Sequence, residues 1–124
     1  MILVIGGAFQ GKQRFAREIS GLEHWADGQS CGKEELDTCD GMIHFHEYIR
    51  NRLGEGLDCT GIPERVARNN PHVVLVANEL GCGVVPVDAF DRRYREAVGR
   101  ICTGLAAEAE AVYRVVCGIG VRIK

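Results

Sequence analysis

The densest chemistry in this chain lies within its first thirteen residues. Gly6-Gly7-Ala8-Phe9-Gln10-Gly11-Lys12 fits the spacing G-x-x-x-x-G-K, and Gln13 follows it. Glycines let the backbone turn tightly and aim several N–H groups inward. A lysine at the mouth of a helix adds its ammonium to the positive end of the helix dipole. Such a turn suits a polyphosphate, above all the end of a nucleoside triphosphate. A dinucleotide fits less well, because no G-x-G-x-x-G is present. Where this pattern ends in Ser or Thr, a hydroxyl reaches a magnesium ion; Gln13 offers only a carbonyl oxygen on a longer stem, in a different geometry. The bland alternative is a glycine-rich turn with a solvent-facing lysine.

A phosphate turn needs a strand before it and a helix after it. Ile2 to Ile5 is a continuous β-branched and leucine run, which predicts a strand covered on both faces in a parallel sheet. Phe15, Ala16, Ile19 and Leu22 return at helical spacing beyond the turn, with Gly21 near the helix end. Strand, glycine turn and helix open an α/β unit. His72 to Ala77 is a second apolar run and predicts an inner strand. Phe90, Tyr94, Ala97, Val98, Ile101, Cys102, Leu105, Ala106 and Ala109 recur at intervals of three and four, which predicts one long helix packed on the sheet. Val112 to Cys117 and Val121 to Ile123, separated by Gly118-Ile119-Gly120, predict a closing hairpin at a sheet edge. In the middle, Glu34 to Cys39 reads as a short strand. Met42, Ile43, Phe45, His46, Ile49 and Leu53 read as one amphipathic helix, and Ile62 to Arg68 as a further helical turn. No repeat or linker interrupts residues 1–124, so a single domain is expected.

Composition narrows the function classes. Of 124 residues, 46% are apolar and 26% charged, enough apolar material for a core, which argues against disorder. Lys+Arg at 15 against Asp+Glu at 17 gives a net charge of -2 with no long run of either sign, which disfavours nucleic acid or an anionic membrane as partner. Cys31, Cys39, Cys59, Cys82, Cys102 and Cys117 form no C-x-x-C pair and fit no common zinc spacing. No stretch is long enough to cross a bilayer and no basic leader precedes the first apolar run, so a cytoplasmic protein with reduced thiols is the expectation.

The segment Val73-Val-Leu-Val-Ala-Asn-Glu-Leu-Gly-Cys-Gly-Val-Val-Pro86 is followed by Phe90-Asp-Arg-Arg-Tyr-Arg-Glu96, Gly99-Arg100, Leu105-Ala-Ala107 and Val112-Tyr113. It resembles the adenosylcobinamide kinase / adenosylcobinamide-phosphate guanylyltransferase family, in which a strand ends in Asn-Glu-x-Gly-x-Gly-x-Val-Pro and a long helix carries Arg-x-Phe/Tyr-Arg. The family opens with a Gly-Gly-x-x-Ser-Gly-Lys-Ser loop, and this chain begins its own with Gly6-Gly7. The resemblance is loose over residues 1–20 and close over 72–124.

What the resemblance implies is a P-loop NTPase-like α/β three-layer sandwich with a mostly parallel sheet, usually a homo-oligomer, acting in cobalamin biosynthesis. Such an enzyme phosphorylates the hydroxyl of adenosylcobinamide from ATP or GTP, with Mg2+, and then transfers GMP through a guanylylated histidine. By position, Gly6, Gly7, Ala8, Phe9, Gln10, Gly11, Lys12 and Gln13 would hold the nucleotide. Lys12 and Glu79 would be catalytic. Glu79, beside Asn78 at a strand's carboxyl end, could bind metal or take a proton, tasks that phosphoryl transfer requires. Asp40 would be a second metal ligand, taking the place of a strand-end acid.

The chain also departs from the family. Gln10 and Gln13 stand where the loop has hydroxyls, and the segment that carries the nucleophilic histidine is cut short. His24, His44 and His46 remain as candidates. On one helix, His44 and His46 would point about 200° apart, too far to share a metal. Arg92, Arg93 and Arg95 could neutralise phosphate or be solvated, and Trp25 and Phe45 could stack on a ligand or pack. Three readings follow: an active nucleotide-dependent transferase, a nucleotide- or corrinoid-binding protein of the same fold that has lost catalysis, or a bare structural or interaction module, which Lys12 and Glu79 at one predicted edge argue against.

Overall fold

A computed structural model of the chain describes residues 1–80 and 88–124. The elements run β1 (Ile2–Gly6), α1 (Lys12–Ser20), β2 (Ala26–Asp27), α2 (Glu35–Thr38), β3 (Gly41–Ile43), α3 (Phe45–Gly54), α4 (Ile62–Asn69), β4 (Val74–Asn78), α5 (Ala89–Glu108), β5 (Ala111–Val116) and β6 (Ile119–Arg122). The strands form one sheet in the order β2-β3-β4-β1-β5-β6, parallel throughout except for the antiparallel β5–β6 pair.

The apolar runs are continuous because both faces of the sheet are covered. In β1, Leu3 joins one core and Val4 the other; in β4, Leu75 and Ala77 face the first while Val74 and Val76 face the second. Helices α2 to α5 close the larger core, and α1 closes the smaller one with Ala16 and Phe15. The strand pattern implied an α/β unit, and the three-layer sandwich with a mostly parallel sheet is the one the family resemblance implied. Tyr94, Val98, Ile101 and Leu105 are the buried stripe of α5, and Asp88 caps that helix by accepting from the N–H groups of Phe90 and Asp91.

The middle differs from the sequence expectation in two places. Glu34 to Cys39 is not a strand: residues 35–38 make the short helix α2. The apolar series from Met42 to Leu53 is not one helix either. Met42 and Ile43 belong to β3, and the chain turns at His44, in the left-handed region at φ 53, before α3 begins. Two apolar residues next to a helical stripe keep its spacing by chance; pairing of Gly41 and Met42 with Val74 and Leu75 decides for the strand. Residues 81–86 of the Asn-Glu-x-Gly-x-Gly-x-Val-Pro motif lie outside the described residues.

The topology aims the phosphate turn. From β1 the chain crosses to the far edge at β2 and works back to β4, and then passes over to β5 on the other side of β1. The carboxyl ends beside β1 therefore face a switch point, where α/β sheets open a crevice. Close approach at the rim of that crevice depends on Gly28. A Cβ there would stand 2.3 Å from the His44 carbonyl oxygen, and the Gly28 N–H donates to the Ile43 carbonyl at 2.8 Å. Replacing Gly28 by alanine is expected to destabilise the fold by about 1–3 kcal/mol through overpacking. Gly54→Ala, with nothing within 4 Å of the added carbon, should stay within about 0.5 kcal/mol of the wild type. Urea unfolding of both variants measures the difference, and equal midpoints would contradict the close approach.

Candidate functional site

The phosphate turn leaves β1 at Gly6 and enters α1 at Lys12. Gly11, at φ 83, occupies the N-cap position, and no side chain caps the helix there. Lys12 is 8% exposed and donates from Nζ to the Gly7 carbonyl at 2.7 Å, so its ammonium is folded back over the loop. Burial pulls its pKa below the usual ammonium range, and the charge of Glu79 pushes it back up. The loop thus presents helix N–H groups and one desolvated cation to the same space.

A second feature fixes the loop from outside. The β5–β6 hairpin turns through Cys117 and Gly118, both at positive φ, as a two-residue hairpin turn of the primed type requires. The N–H of Cys117 donates to Gln10 Oε1 at 2.6 Å, and that of Gly118 to the Gln10 carbonyl at 2.8 Å. A Cβ on Gly11 would come within 3.2 Å of Gly118. Gln10, at a family hydroxyl position, therefore ties the loop to the last hairpin.

Beside the loop lies a cleft of about 420 Å³, lined among others by Lys12, Gln13, Gln29, His44, His46 and Asn78. His44 Nδ1 lies 2.9 Å from Asp27 Oδ1, and His44 Nε2 lies 3.1 Å from the Gln13 side-chain nitrogen. With its proton on Nδ1 the neutral ring donates to Asp27 and accepts from the Gln13 amide, and with both nitrogens protonated it is a cation beside Asp27 and His46. For Asp27, burial raises the pKa, but hydrogen bonds from His44 and from the Gln29 N–H, with the charge of His44, outweigh it and hold the carboxyl below its ordinary value. His46 Nδ1 accepts the Asn78 N–H at 3.1 Å. Burial, then the charges of His44 and Lys12, lower the His46 pKa to about 4.

The described non-glycine residues with positive φ are Phe9, His44 and Cys117. One sits in the loop, one lines the cleft, and one holds Gln10. Each such conformation costs about 1 kcal/mol or more, and all three gather at the rim where strands meet loops.

The predicted site residues divide. Glu79 follows β4, donates its N–H to the Gly6 carbonyl at 2.8 Å, and stands near enough to act on Lys12. Its carboxylate is held by Arg114 at 2.8 and 3.2 Å. Asp40 does not join the site: it is exposed and precedes β3, at the amino edge of the sheet, because β3 starts after it rather than ending at it. At the carboxyl edge, besides Glu79, the strand-end acid is Asp27 of β2, a residue sequence reading passed over; the pair Ala26-Asp27 before Gly28 was its signal. His24 is exposed ahead of β2. The helical argument separating His44 from His46 fails because the turn at His44 intervenes, and the two rings meet edge to face with centroids 6.0 Å apart. Phe45 is fully buried against Tyr48, and Trp25 donates to the Leu22 carbonyl, so both pack. Arg92 and Arg93 are exposed on α5, with Arg93 over the Phe90 ring.

The donor set does not fit a preformed magnesium site. Gln13 turns its amide to His44, Glu79 is paired with Arg114, and the described residues hold no group of three His, Cys, Asp or Glu able to bind a metal.

A strand, a glycine turn closed over a buried lysine, and a helix on a parallel sheet define a phosphate-loop α/β protein. Within that class the chain belongs to the cobinamide kinase / cobinamide phosphate guanyltransferase family, whose model matches residues 49–123, more than half of its length. The matched residues include β4, Glu79, α5 and Arg114 and leave out the phosphate loop, Asp27 and both cleft histidines. Two curated relatives are the bifunctional adenosylcobalamin biosynthesis proteins CobU of Salmonella typhimurium and of Escherichia coli, each 52% identical over 52 residues. Those residues are 42% of this chain and 29% of each relative, so the match spans less than a third of the relatives' length. No described helix is long and apolar enough to cross a membrane.

The buried neutral His46 makes stability depend on pH. Its folded pKa of about 4 lies below the ordinary 6.5, so its contribution is complete above about pH 6.5 and is lost as pH falls toward 4. The full loss is about 3 kcal/mol. His46→Asn keeps an acceptor for the Asn78 N–H without a titrating ring. Chemical denaturation from pH 7 to pH 4 should show a shallower fall for this variant; parallel curves would place the acid sensitivity elsewhere.

Proposed function

We propose that this protein binds a nucleoside triphosphate, GTP or ATP, at the loop Gly6 to Gln13 and transfers its terminal phosphoryl group to the hydroxyl of adenosylcobinamide in cobalamin biosynthesis. The observation that carries the reading is the buried Lys12 ammonium at the mouth of α1, on the carboxyl edge of a sheet whose second half belongs to the cobinamide kinase family.

In this reading Lys12 gives one N–H to Gly7 and directs the others at the phosphates, while the first N–H groups of α1 face the same charge. Positioning and charge neutralisation are most of what phosphoryl transfer asks of a protein. Glu79, held by Arg114, sets the field at Lys12 from the neighbouring strand end. No residue is assigned to hold magnesium, because Gln13 and Glu79 are engaged with His44 and Arg114. For the guanylyl-transfer half of the family's activity, the histidines placed in the cleft are His44 and His46.

A second reading has its own support. Gln13 and Glu79, at two positions where catalysis would use metal, are engaged with His44 and Arg114. That favours a nucleotide- or corrinoid-binding protein of this fold without turnover. Incubating the chain with GTP or ATP and adenosylcobinamide separates the two: phosphorylated corrinoid supports the first, and binding without product supports the second.

Lys12→Ala should weaken nucleotide affinity by about 2–4 kcal/mol, the cost of losing a desolvated charge-assisted contact. Isothermal titration of wild type and variant measures it, and equal affinities would remove the loop from the site.

A further inference from the structure

We propose that His44 is the base that accepts the proton of the alcohol being phosphorylated, an assignment that rests on the phosphoryl-transfer reading above. Three elements converge to build it: Asp27 from the end of β2, His44 from the end of β3, and Gln13 from the first turn of α1. Asp27 is itself pinned, since its Oδ1 accepts the Gln29 N–H at 2.9 Å as well as the His44 ring. With Nδ1–H directed at Asp27, the lone pair of Nε2 points toward Gln13 and the phosphate loop. A carboxylate behind the ring fixes the tautomer and stabilises the imidazolium that proton transfer creates.

Two other candidates near the loop are otherwise occupied. His46 is buried and spends Nδ1 on the Asn78 N–H. The Glu79 carboxylate is bound on both oxygens by Arg114. The Gln13 amide marks the position an incoming hydroxyl would take at Nε2, and it must swing aside when the acceptor enters. The alcohol oxygen attacks the terminal phosphorus and a new O–P bond forms. The bond from that phosphorus to the bridging oxygen breaks, its electron pair leaves with the nucleoside diphosphate, and the hydroxyl proton goes to His44 Nε2. The left-handed turn at His44, with φ 53 and ψ 42, is what aims the ring back into the cleft rather than along α3.

Charged and titratable neighbours of the ring are Asp27 from β2, Lys12 and Arg14 from α1, and His46 and Glu47 from α3. Their effect on its titration is therefore read from variants rather than from the wild type alone. The test uses the full chain with adenosylcobinamide and γ-labelled GTP or ATP, following kcat from pH 5 to pH 9. His44→Asn is the main variant, because asparagine tolerates a left-handed backbone and preserves the turn. The expected result is a fall in kcat of about 100-fold or more, nucleotide affinity by calorimetry within about threefold of wild type, and loss of the acidic limb of the kcat profile. Asp27→Asn, a positioning variant, should lower kcat and shift that limb with nucleotide affinity kept.

Wild-type turnover that survives His44→Asn with the same pH profile would overturn the assignment while leaving the functional reading intact. Nucleotide binding with no turnover in the wild type would remove both. Label from the γ-phosphate retained on the protein, and lost in His44→Asn, would also overturn it, because the ring would then be a nucleophile.

Discussion

At Gly6 the central strand passes so close to β5 that a Cβ would stand 2.5 Å from the Val115 carbonyl oxygen, and the Gly6 carbonyl accepts the Glu79 N–H at 2.8 Å. Three strands are locked there by backbone alone. The consequence is geometric: the phosphate loop springs from a fixed point, with the end of β4 on one side and the end of β5 on the other. Lys12 and Glu79 then act on each other across the loop's base, and Arg114 from β5 closes the charge set on Glu79. A side chain at Gly6 would spread these strands and move every polar group that depends on their ends.

Outward from that point, the polar groups are tied in two directions. On one side Gln10 reaches the Cys117–Gly118 turn, so the edge hairpin, itself exposed and apolar at Ile119 and Val121, braces the loop. On the other side Gln13 reaches His44, and His44 reaches Asp27, so the first turn of α1 is linked to the ends of β3 and β2. The two glutamines standing at hydroxyl positions of the family loop are thus both used. Their longer stems reach partners that a serine would not, which is why their amides meet protein groups rather than stand ready for a metal ion.

Strain and burial gather at this same rim. His44 and Cys117 hold left-handed backbones without being glycine, and each does so where its neighbours need it: His44 to bring its ring into the cleft, Cys117 to complete a hairpin turn. His46 accepts the opposite cost, desolvation, to tie α3 to Asn78. Cores on both sides of the sheet, with Leu75 and Val76 almost wholly buried, provide the stability against which these local costs are set.

How much of this was legible beforehand depends on the range over which each signal acts. The runs Ile2–Ile5 and His72–Ala77, the stripe along α5 and the Gly118 hairpin state their own structure, because a strand buried on both faces or a helix packed on one is written in consecutive residues. The glycine turn that ends in Lys12 states its place between strand and helix for the same reason. Asp27, His44 and Gln13 do not, since strands of two or three residues carry no period and the left-handed turn at His44 breaks the one that Met42 to Leu53 suggested. Asp40 misled because an acid beside a strand has the same letters at either end, and only the direction of β3 in the sheet tells which edge it occupies. By itself, then, the sequence determined the α/β class and the glycine turn that leads from β1 into α1. Which acid and which histidine meet that turn was decided by parallel pairing, which brings the ends of strands distant along the chain within hydrogen-bonding reach.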